Sequence, residues 1–558
     1  MALGLSSNNS ASNLMSGGEA IIRSLVANGV DTVFGLPGAQ TYPLFDALER
    51  HADKITTFGV RHEQAAAYMA LGYAKATGRP GVYTVVPGPG VLNTTAALST
   101  AWATNAPVLC ITGQIPSRYL GKRRGALHEI PDQLATLRGL TKWAARVERA
   151  EDAPDILREA FRVMLSGRPG PVAVEMSWDR LAEQGAAEIG AHAVADLPPM
   201  ANINTIARAA ALLAGAQQPL VLLGGGAQHA SKEILELVER LGAPVAAFRS
   251  GRGIVAEDHP LSVSSYAASM LWQDTDVLLG IGSRLEMPYA RWADMMEAIT
   301  VAPDRPALIR IDIDPAEMTR LKPQIGIVAD AAEATRALSQ ALVARPMLVR
   351  PRERIERAKQ DAERRIAVVK PHVEYLAAIR ACLPRDGFFV EELCQAGFAS
   401  YFAYPVYEPR TYVTPGFQGT LGFGFPTALG VKAAYPARAV VSISGDGGFM
   451  FGVQDLATAV DRNLGVVAII FNNNAFGNVR RDLKRLYNGD ALGANFRNPD
   501  FAKLAEAFGA AFYRATSPDD LRPKLADAIA ANRPAIIEVI VDADTEVSPW
   551  PFIHTGQG

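Results

Sequence analysis

The stretch ISGDGGFMFG, residues 443–452, places one carboxylate between glycines directly after an apolar run. The residues that lead into it, RAVVSISG, have the length and composition of a buried strand. Residues 450–464 then have helical spacing, and GVVAIIFNNNAFGN at 465–478 contains a second apolar strand that ends in three asparagines. The pattern predicts a strand–helix–strand unit whose two strands run parallel.

Two polar residues of this unit, Asp446 and Asn473, are 27 positions apart, and each follows an apolar strand. The carboxyl ends of parallel strands lie at one edge of a sheet, where ligands of open α/β sheets bind. Carboxylate and amide oxygens are hard ligands that suit Mg²⁺, and neighbouring glycines let backbone amides approach a phosphate. The alternative is a tight Gly-Asp-Gly turn beside an unrelated asparagine turn. The paired asparagines after the second strand favour a metal and phosphate site.

Alternating apolar runs and helical patterns divide the whole chain into three α/β blocks. Runs such as DTVFGLPG, APVLCITGQ and PLVLLGGG are typical of buried parallel strands, and alanine-rich helical stretches lie between those of the first block. The predicted parts are a flexible tail at 1–16, a first domain at 17–182, a linker at 183–201, a central domain at 202–345, a linker helix at 346–371, and a third domain with a C-terminal tail at 372–558.

Composition and charge exclude several classes of protein. The chain has 558 residues, 49% of them apolar and 20% charged, with a formal net charge of −2. This balance is typical of a globular protein and gives no electrostatic basis for binding nucleic acid or an anionic membrane. No apolar run reaches the roughly 18 residues of a membrane-spanning helix. Cys110, Cys382 and Cys394 form no CxxC pair, so we expect neither a disulfide framework nor a zinc site, and we expect a cytoplasmic location.

Several motifs resemble one family of enzymes. The GDG sequence and the later Asn-Asn pair are similar to the diphosphate-binding motif of thiamine diphosphate-dependent enzymes. The resemblance covers nearly the whole chain and is closest to the acetolactate synthase branch, in FGLPGAQTYPLFDAL, RHEQAAAYMALGYAKATGRPGV, PGPGVLNT, IDIDPAE and GTLGFGFPTALG. It implies three doubly wound parallel-sheet α/β domains, which are pyrimidine-binding, central and diphosphate-binding in that order.

The resemblance also implies which residues of the third domain hold the cofactor. Mg²⁺ is expected to bind Asp446, the side chain of Asn473 and the main-chain carbonyl of Ala475. Leu421 is expected to be the apolar wedge that bends the cofactor, although an ordinary core leucine is the alternative. The remaining residues expected to contact the cofactor are Gln395, Gly419, Gly445, Gly447 and Gly448.

The first domain is expected to contact the pyrimidine ring of the cofactor. By resemblance, Glu63 in GVRHEQ is the carboxyl group that activates this ring, whereas the residue type alone favours a simple charge at a helix start. The loop PGPGVLN, with Pro87, Gly88 and Asn93, is expected to touch the cofactor from the same side. In the family this domain comes from the partner subunit, so we expect at least a homodimer, and a tetramer above it.

The substrate pocket departs from true acetolactate synthases. A Phe-Gln pair of that branch is replaced here by His128-Glu129, and a glycine–alanine step is replaced by Ala39-Gln40. Asp482 stands where those enzymes carry a tryptophan, and their Asp-Arg pair is altered, although Arg284 and Arg291 lie near. His128 and Gln40 match polar pocket residues of benzaldehyde lyase by position, which makes both candidate catalytic residues for proton transfer. The alternative for His128 is a surface histidine on a loop.

The central domain carries only a weak signal for FAD. The sequence LLGGGAQ resembles a dinucleotide turn, but a glycine run alone has low specificity. The segment that lines the flavin in the family is replaced by SVSSYAASMLW. The sequence therefore allows FAD but favours a domain without it.

Together these features predict a thiamine diphosphate- and Mg²⁺-dependent carboligase. It would decarboxylate a 2-oxo acid and add the acyl carbanion to a second carbonyl compound, as acetolactate synthase does. The alternatives are a 2-hydroxy ketone lyase or ligase similar to benzaldehyde lyase, a simple 2-oxo acid decarboxylase, and a non-catalytic relative. Glu63 and Asp446 are both present, which argues against the non-catalytic relative. The C-terminal tail, EVSPWPFIHTGQG, is either a lid over the site or a poorly ordered terminus.

Overall fold

A computed structural model describes residues 13–286, 292, 306–346, 348, 350–487 and 489–555. Most of the predicted N-terminal tail, up to residue 12, lies outside the described residues, and so does Arg291. The chain divides into two units, one extending to Asp196 and the other starting at Leu197 and including Lys75–Thr77.

The first unit contains a six-stranded parallel sheet and a small antiparallel pair of strands. Its strands are β1 (Leu14–Ser16), β2 (Thr32–Gly35), β3 (Thr56–Gly59), β4 (Gly81–Val85), β5 (Val108–Gln114), β6 (Trp143–Val147), β7 (Val172–Ser177) and β8 (Gln184–Ala186). Its helices are Gly17–Ala27, Tyr42–Arg50, Glu63–Thr77, Pro89–Asn93, Thr95–Ala103, Gln133–Arg138, Ala153–Leu165 and Trp178–Ala182. The sheet order is β3-β2-β4-β5-β7-β6, so the strand order reverses between β2 and β4.

The ends of the first unit differ from the sequence prediction. Leu14–Ser16 form β1 instead of belonging to a tail, and Gln184–Ala186 form β8 instead of belonging to a linker. The two strands pair antiparallel, with Leu14 opposite Ala186. The physical reason is burial, because Met15 belongs to the hydrophobic core of this unit. Three-residue strands of this kind have no periodicity that a sequence can reveal.

The central sheet of the second unit has five parallel strands in the order β10-β9-β11-β12-β13. These strands are β9 (Pro219–Leu223), β10 (Val245–Ala247), β11 (Val277–Ile281), β12 (Ala307–Asp312) and β13 (Ile325–Val328). The helices of this part are Ile203–Gly215, Ser231–Leu241, Ser265–Trp272, Ala316–Arg320 and Ala331–Val343, and the helix Glu353–Ile366 follows in the predicted linker region.

The third sheet has six parallel strands in the order β15-β14-β16-β17-β19-β18, with its reversal between β14 and β16. Its strands are β14 (Phe388–Val390), β15 (Tyr412–Val413), β16 (Val440–Gly445), β17 (Val466–Asn472), β18 (Ala511–Ala515) and β19 (Ala535–Ile540). Its helices are His372–Cys382, Gln395–Ala403, Gly424–Ala434, Asp446–Phe449, Leu456–Asp461, Gly477–Tyr487, Phe501–Phe508, Pro518–Ala531 and Trp550–Ile553. Together the three parallel sheets confirm the predicted fold class.

The predicted strand–helix–strand unit is confirmed, with one difference in its helix. β16 and β17 pair in parallel, and Gly445 lies opposite Phe471. The connection is not one continuous helix but two short helices, 446–449 and 456–461, separated by a turn. The break lets Gly452 pack closely on Pro426, since a Cβ at Gly452 would lie 2.7 Å from the proline Cγ.

Buried aliphatic side chains cover the sheets. β5 and β7 in the first unit, and β9, β11 and β12 in the second, are buried along their whole length, as strands with helices on both faces must be. Among the described residues no helix is both long and apolar enough to cross a membrane.

Candidate active site

Asp446 lies at the carboxyl end of β16, next to the point where the strand order of the third sheet reverses. Its side chain is only 1% exposed, and burial raises the pKa of this carboxyl group. Hydrogen bonds from its neighbours oppose that effect. The N–H of Gly447 donates to Oδ1 at 3.0 Å, and the main-chain amides of Asn473 and Asn474 lower the pKa of the carboxyl group. The structure therefore brings the two predicted strand ends together.

The segment around Asn498, which no sequence pattern indicates, completes the surroundings of Asp446. Asn498 donates its amide to Asp446 Oδ2 at 2.7 Å and to Asn472 Oδ1 at 2.9 Å. Residues just before Asn498 pair with residues 472–475, which we call the asparagine loop. There Ala475 forms an antiparallel bridge with Asn495. Asn498 is 52 residues from Asp446, and a lone polar residue in a loop gives no periodic signal.

The donor set at these strand ends fits a hard cation. It comprises one carboxylate, the amide oxygen of Asn473 and the carbonyl of Ala475, all oxygen ligands of the kind Mg²⁺ takes when phosphate oxygens complete its shell. Among the described residues no group of three or more His, Cys, Asp or Glu side chains is arranged to bind a metal. A site with one carboxylate belongs to a different class and fits a cation shared with a phosphate.

The glycines after Asp446 are required by close packing inside the protein. A Cβ at Gly447 would lie 2.4 Å from a ring carbon of Phe476, and one at Gly448 would lie 2.0 Å from Glu392 Oε1. At Gly445 the closest atom to such a Cβ is a side-chain carbon of Cys394 at 3.4 Å, an ordinary contact. Close packing against Phe476 and Glu392 therefore accounts for Gly447 and Gly448 by itself. The expectation that these glycines also make room for a phosphate stays a prediction.

Gln395 and the loop 419–424 lie around the same strand ends. Gln395 starts the helix Gln395–Ala403 and is buried. Its Oε1 has no hydrogen-bond partner among the described residues, which fits a side chain that binds a ligand. Gly419 has a φ of +59°, which glycine adopts without strain. Leu421 lies beside the glycines that follow Asp446, because a side-chain carbon of Leu421 is 3.7 Å from where a Cβ on Gly448 would be.

Glu392 fixes the loop that carries Leu421, a role the sequence did not indicate. Its carboxylate accepts hydrogen bonds from the N–H groups of Gly422 at 3.0 Å and Gly424 at 2.7 Å. The hydroxyl of Ser444 lies 3.2 Å from Oε2. Burial nevertheless raises the pKa of Glu392 to about 7.

The first unit brings Glu63 and the PGPG loop together. Glu63 is the first residue of the helix Glu63–Thr77, and the ring Nδ1 of His62 caps that helix by accepting from the N–H of Gln64 at 3.2 Å. Asn93 donates its amide to Glu63 Oε2 at 2.9 Å. Two predicted cofactor residues, 30 positions apart, are thus in direct contact.

His128 and Gln40 also meet in this unit. The ring Nδ1 of His128 lies 2.9 Å from Gln40 Oε1, and Gln40 Nε2 donates to the carbonyl of Leu127 at 2.7 Å. Gln40 is 2% exposed and has a φ of +73°, and His128 has a φ of +68°. Burial lowers the pKa of His128, and the charge of Glu63 opposes that shift. The histidine is therefore part of a hydrogen-bonded cluster near Glu63, which argues against an isolated surface histidine.

A buried polar network lies under the PGPG loop and has no pattern in the sequence that would reveal it. Gly88 has a φ of +60° and donates its N–H to Gln133 Oε1 at 2.8 Å. Gln133 Nε2 donates to Glu175 Oε2 at 2.8 Å, and Arg146 binds the other oxygen of Glu175 at 2.6 Å. Gly88 also approaches the carbonyl of His128, where a Cβ would lie 2.3 Å away. Gln133 therefore holds the loop that carries Pro87, Gly88 and Asn93.

Comparison with known proteins gives the same domain order. Models of thiamine pyrophosphate enzymes match the chain at the N-terminal TPP binding domain (residues 15–136), the central domain (206–338) and the C-terminal TPP binding domain (394–539). The chain is 34% identical to the probable acetolactate synthase large subunit of Methanocaldococcus jannaschii, over 95% of this chain and 92% of that protein. The chain belongs to the thiamine pyrophosphate enzyme family. Thiamine pyrophosphate is another name for thiamine diphosphate.

Two further members of this thiamine pyrophosphate family show how its relatives differ in named activity. The chain is 33% identical to the probable 2-ketoarginine decarboxylase AruI of Pseudomonas aeruginosa, over 94% of both chains. It is 30% identical to the acetolactate synthase isozyme 1 large subunit of Escherichia coli, over 96% of this chain and 95% of that protein. Membership of the family therefore leaves the reaction itself open.

Two substituted positions of this thiamine pyrophosphate enzyme have protein partners. Asp482 lies on the helix Gly477–Tyr487, where Asn478 and Arg481 are its neighbours at 3.4 Å and 3.3 Å. Arg284 lies 3.5 Å from the buried carboxylate of Glu317 and stacks over Phe417.

The glycine run of the central domain is also explained by packing. A Cβ at Gly224 would lie 2.3 Å from the carbonyl of Gly282, and one at Gly226 would lie 3.1 Å from the Cα of Gly282. Two strand-end loops approach each other there, so the run does not require a bound nucleotide to account for it.

The C-terminal segment has a defined position up to residue 555. The helix Trp550–Ile553 packs on the helix that starts at Gln395, with Trp550 4.8 Å from Phe398 and Phe552 5.6 Å from Phe402 between ring centres. Trp550 also donates its indole N–H to Asn478. The expectation of a poorly ordered terminus is wrong for these residues, whereas a role as a lid stays a prediction.

Proposed function

We propose that the protein is a thiamine diphosphate- and Mg²⁺-dependent carboligase that decarboxylates a 2-oxo acid and adds the acyl carbanion to a second carbonyl compound. The observation that carries this proposal is the meeting of Asp446 and the asparagines after β17 at neighbouring strand ends, where Asn498 donates to both Asp446 Oδ2 and Asn472 Oδ1. The acetolactate synthases among the relatives support the reaction type.

The third domain supplies the groups that would hold the metal and the diphosphate. Asp446, the Asn473 side chain and the Ala475 carbonyl are the proposed Mg²⁺ ligands, and Gln395 is a proposed contact of the diphosphate. When bound, the cofactor supplies a carbon nucleophile and an electron sink. Leu421, fixed from behind by Glu392, would set the shape of the cavity that receives it.

The first domain supplies the proposed proton-transfer groups. Asn93 holds one oxygen of Glu63, so that the carboxyl group is oriented to exchange a proton with the pyrimidine ring. The hydrogen bond between His128 and Gln40 fixes the histidine ring. With its pKa lowered by burial, the ring is largely neutral near pH 7 and can accept or return a proton at a bound carbonyl oxygen.

Assembly and location follow from the same proposal. A homodimer is the minimum assembly, because in the family the first domain serves the cofactor of the partner subunit, and a tetramer is expected above it. We propose no FAD in the central domain. All three cysteines are free thiols, which supports a cytoplasmic location.

Two observations favour a second candidate function. The His128–Gln40 pair replaces the residues typical of acetolactate synthase, and one relative is named a probable 2-ketoarginine decarboxylase. A 2-oxo acid decarboxylase, or a lyase or ligase of 2-hydroxy ketones similar to benzaldehyde lyase, is therefore the runner-up.

Product analysis separates these functions. The protein is incubated with thiamine diphosphate, Mg²⁺ and pyruvate, and carbon dioxide and acetolactate are quantified. Acetolactate supports the carboligase. Carbon dioxide with only an aldehyde, from pyruvate or from a panel of larger 2-oxo acids, supports the decarboxylase, and cleavage of an added acyloin supports the lyase. A Glu63→Gln control is expected to bind the cofactor but to exchange its thiazolium proton far more slowly. Turnover that persists unchanged in EDTA would contradict the metal site.

A further inference from the structure

The amide of Asn473 must present its oxygen, and not its nitrogen, to the proposed Mg²⁺. An asparagine amide has one acceptor and one double donor of nearly equal size, so rotation by half a turn exchanges them. In the structure Asn473 Nδ2 donates to Glu546 Oε2 at 2.9 Å. A carboxylate oxygen accepts this bond, so the contact with Glu546 favours the orientation in which Oδ1 points away from it. The main-chain N–H of Ala475, which donates to Oδ1 at 3.1 Å, supports the same orientation from within the loop.

Glu546 is itself buried beside these residues. Its side chain is 4% exposed, and its other oxygen lies 3.1 Å from Nε2 of the buried His372, a nitrogen that makes no hydrogen bond among the described residues. The ring of His372 packs edge-on against Phe471 in β17, the strand that leads to Asn473. The next residue, Val547, donates its N–H to the carbonyl of Lys370 at 3.1 Å. Side chain and backbone together fix the carboxylate beside the asparagine loop.

The space around the Asn473 amide is also restricted. A Cβ at Gly477 would lie 2.7 Å from Asn473 Nδ2 and 3.3 Å from Glu546 Oε2. The helix that starts at Gly477 thus covers the contact between the two side chains. A carboxylate in this position would orient a metal ligand by hydrogen bonding to it without touching the metal, as the outer-shell partners of other metal sites do.

We propose that Glu546 is a positioning residue that fixes the Asn473 amide with Oδ1 facing the Mg²⁺ ion. The inference rests on the proposed function, because it presupposes the metal site at Asp446 and Asn473. It assigns Glu546 no contact with substrate or cofactor. It also explains why a residue of the C-terminal segment, 100 positions after Asp446, reaches the strand end of β17.

The test measures the Mg²⁺ concentration that half-saturates thiamine diphosphate binding, followed by the quenching of tryptophan fluorescence without substrate. Glu546→Met removes the acceptor at similar volume and is expected to raise this concentration about 10- to 100-fold. Glu546→Gln keeps an acceptor oxygen and is expected to stay within about three-fold of the parent. The matched control is Asp544→Asn, an exposed residue of the same segment that pairs with Arg480, and no change is expected.

A second background separates orientation from a general structural role. In Asn473→Asp the ligand is a carboxylate with two equivalent oxygens, so it needs no orienting partner, and adding Glu546→Met should leave the Mg²⁺ requirement within about three-fold. An equal loss in both backgrounds would overturn the inference, as would an unchanged requirement in Glu546→Met alone. Glu546→Leu replaces the methionine variant if that protein does not fold. Asp446→Asn separates this inference from the proposed function. If both Glu546→Met and Asp446→Asn keep Mg²⁺-dependent binding of the cofactor, the proposed function fails too. If Asp446→Asn loses this binding and Glu546→Met keeps it, only the role of Glu546 is overturned.

Discussion

Replacing Glu391 by glutamine is expected to weaken the pH dependence of stability between about pH 6 and pH 8. Glu391 follows β14 directly and is 0% exposed. Burial raises the pKa of its carboxyl group from 4.5 to about 8, against the opposing effects of the Thr414 hydroxyl and the charge of Arg249. In the unfolded chain the group is solvated and has its ordinary pKa.

The sign and size of the effect follow from this difference. Below pH 4.5 the group is protonated in both states, and above that value the unfolded chain releases its proton while the folded protein keeps it up to about pH 8. The free energy of unfolding therefore falls as pH rises through this window, by up to about 1.4 kcal/mol per pH unit. Between about pH 6 and pH 8 the loss amounts to about 2 kcal/mol, and Glu391→Gln removes it.

Urea unfolding without added cofactor, at pH 6, 7 and 8, measures the effect. The variant should gain stability relative to the parent as pH rises, because it lacks the group that must ionise in the folded interior. Glu392 is present in both proteins, so its own contribution largely cancels in the comparison. Glu506→Gln, at an exposed position, is the control and should follow the parent. An identical decline in Glu391→Gln and in the parent would refute the argument.

Three further outcomes are expected. Leu421→Ala should bind thiamine diphosphate with an affinity close to that of the parent but turn over at least about ten-fold more slowly, because the wedge acts on the shape of the bound cofactor; a titration and a rate measurement together test this. Gln133→Ala leaves the buried N–H of Gly88 without its acceptor and removes one donor to Glu175, whose Oε2 keeps the Gln114 amide at 3.2 Å. It should destabilise the first unit by about 1–3 kcal/mol, measured by urea unfolding, and Gln133→Glu should be no better because it places two carboxylates together. Arg310→Met removes the buried guanidinium that pairs with Glu317 and donates to the carbonyl of Ser283, while Arg320 still pairs with Glu317. It should cost about 1–3 kcal/mol in the second unit, seen as a lower unfolding midpoint.

Much of the fold could be predicted from the sequence, because buried parallel strands are continuous apolar runs of five to seven residues. The βαβ unit at β16 and β17 is the best example. Asp446 and Asn473, which follow its two strands, could be placed at one sheet edge from topology alone. Short strands such as β1 and β15, with three and two residues, could not be predicted, since too few positions are available to show alternation.

The site was predicted in part, and its omissions have a common cause. The resemblance points to Glu63 and Asn93, and likewise to His128 and Gln40, and the members of each pair are in contact in the structure. Their catalytic roles stay predictions. Supporting residues such as Glu392 and Gln133 were not named. They are single polar side chains whose partners are main-chain groups far away in sequence, and such contacts leave no spacing pattern in a chain read without its fold.

The pairing of β1 with β8 brings the beginning and the end of the first unit side by side, since Leu14 lies opposite Ala186. Chains whose ends meet in this way tolerate relocation of their termini. A version of residues 13–196 in which a short glycine linker joins the old ends and a new opening is cut at the exposed turn after Gly121 should therefore keep its sheet order. Such a permuted fragment would offer a route to study the Glu63 and His128 cluster apart from the rest of the polypeptide.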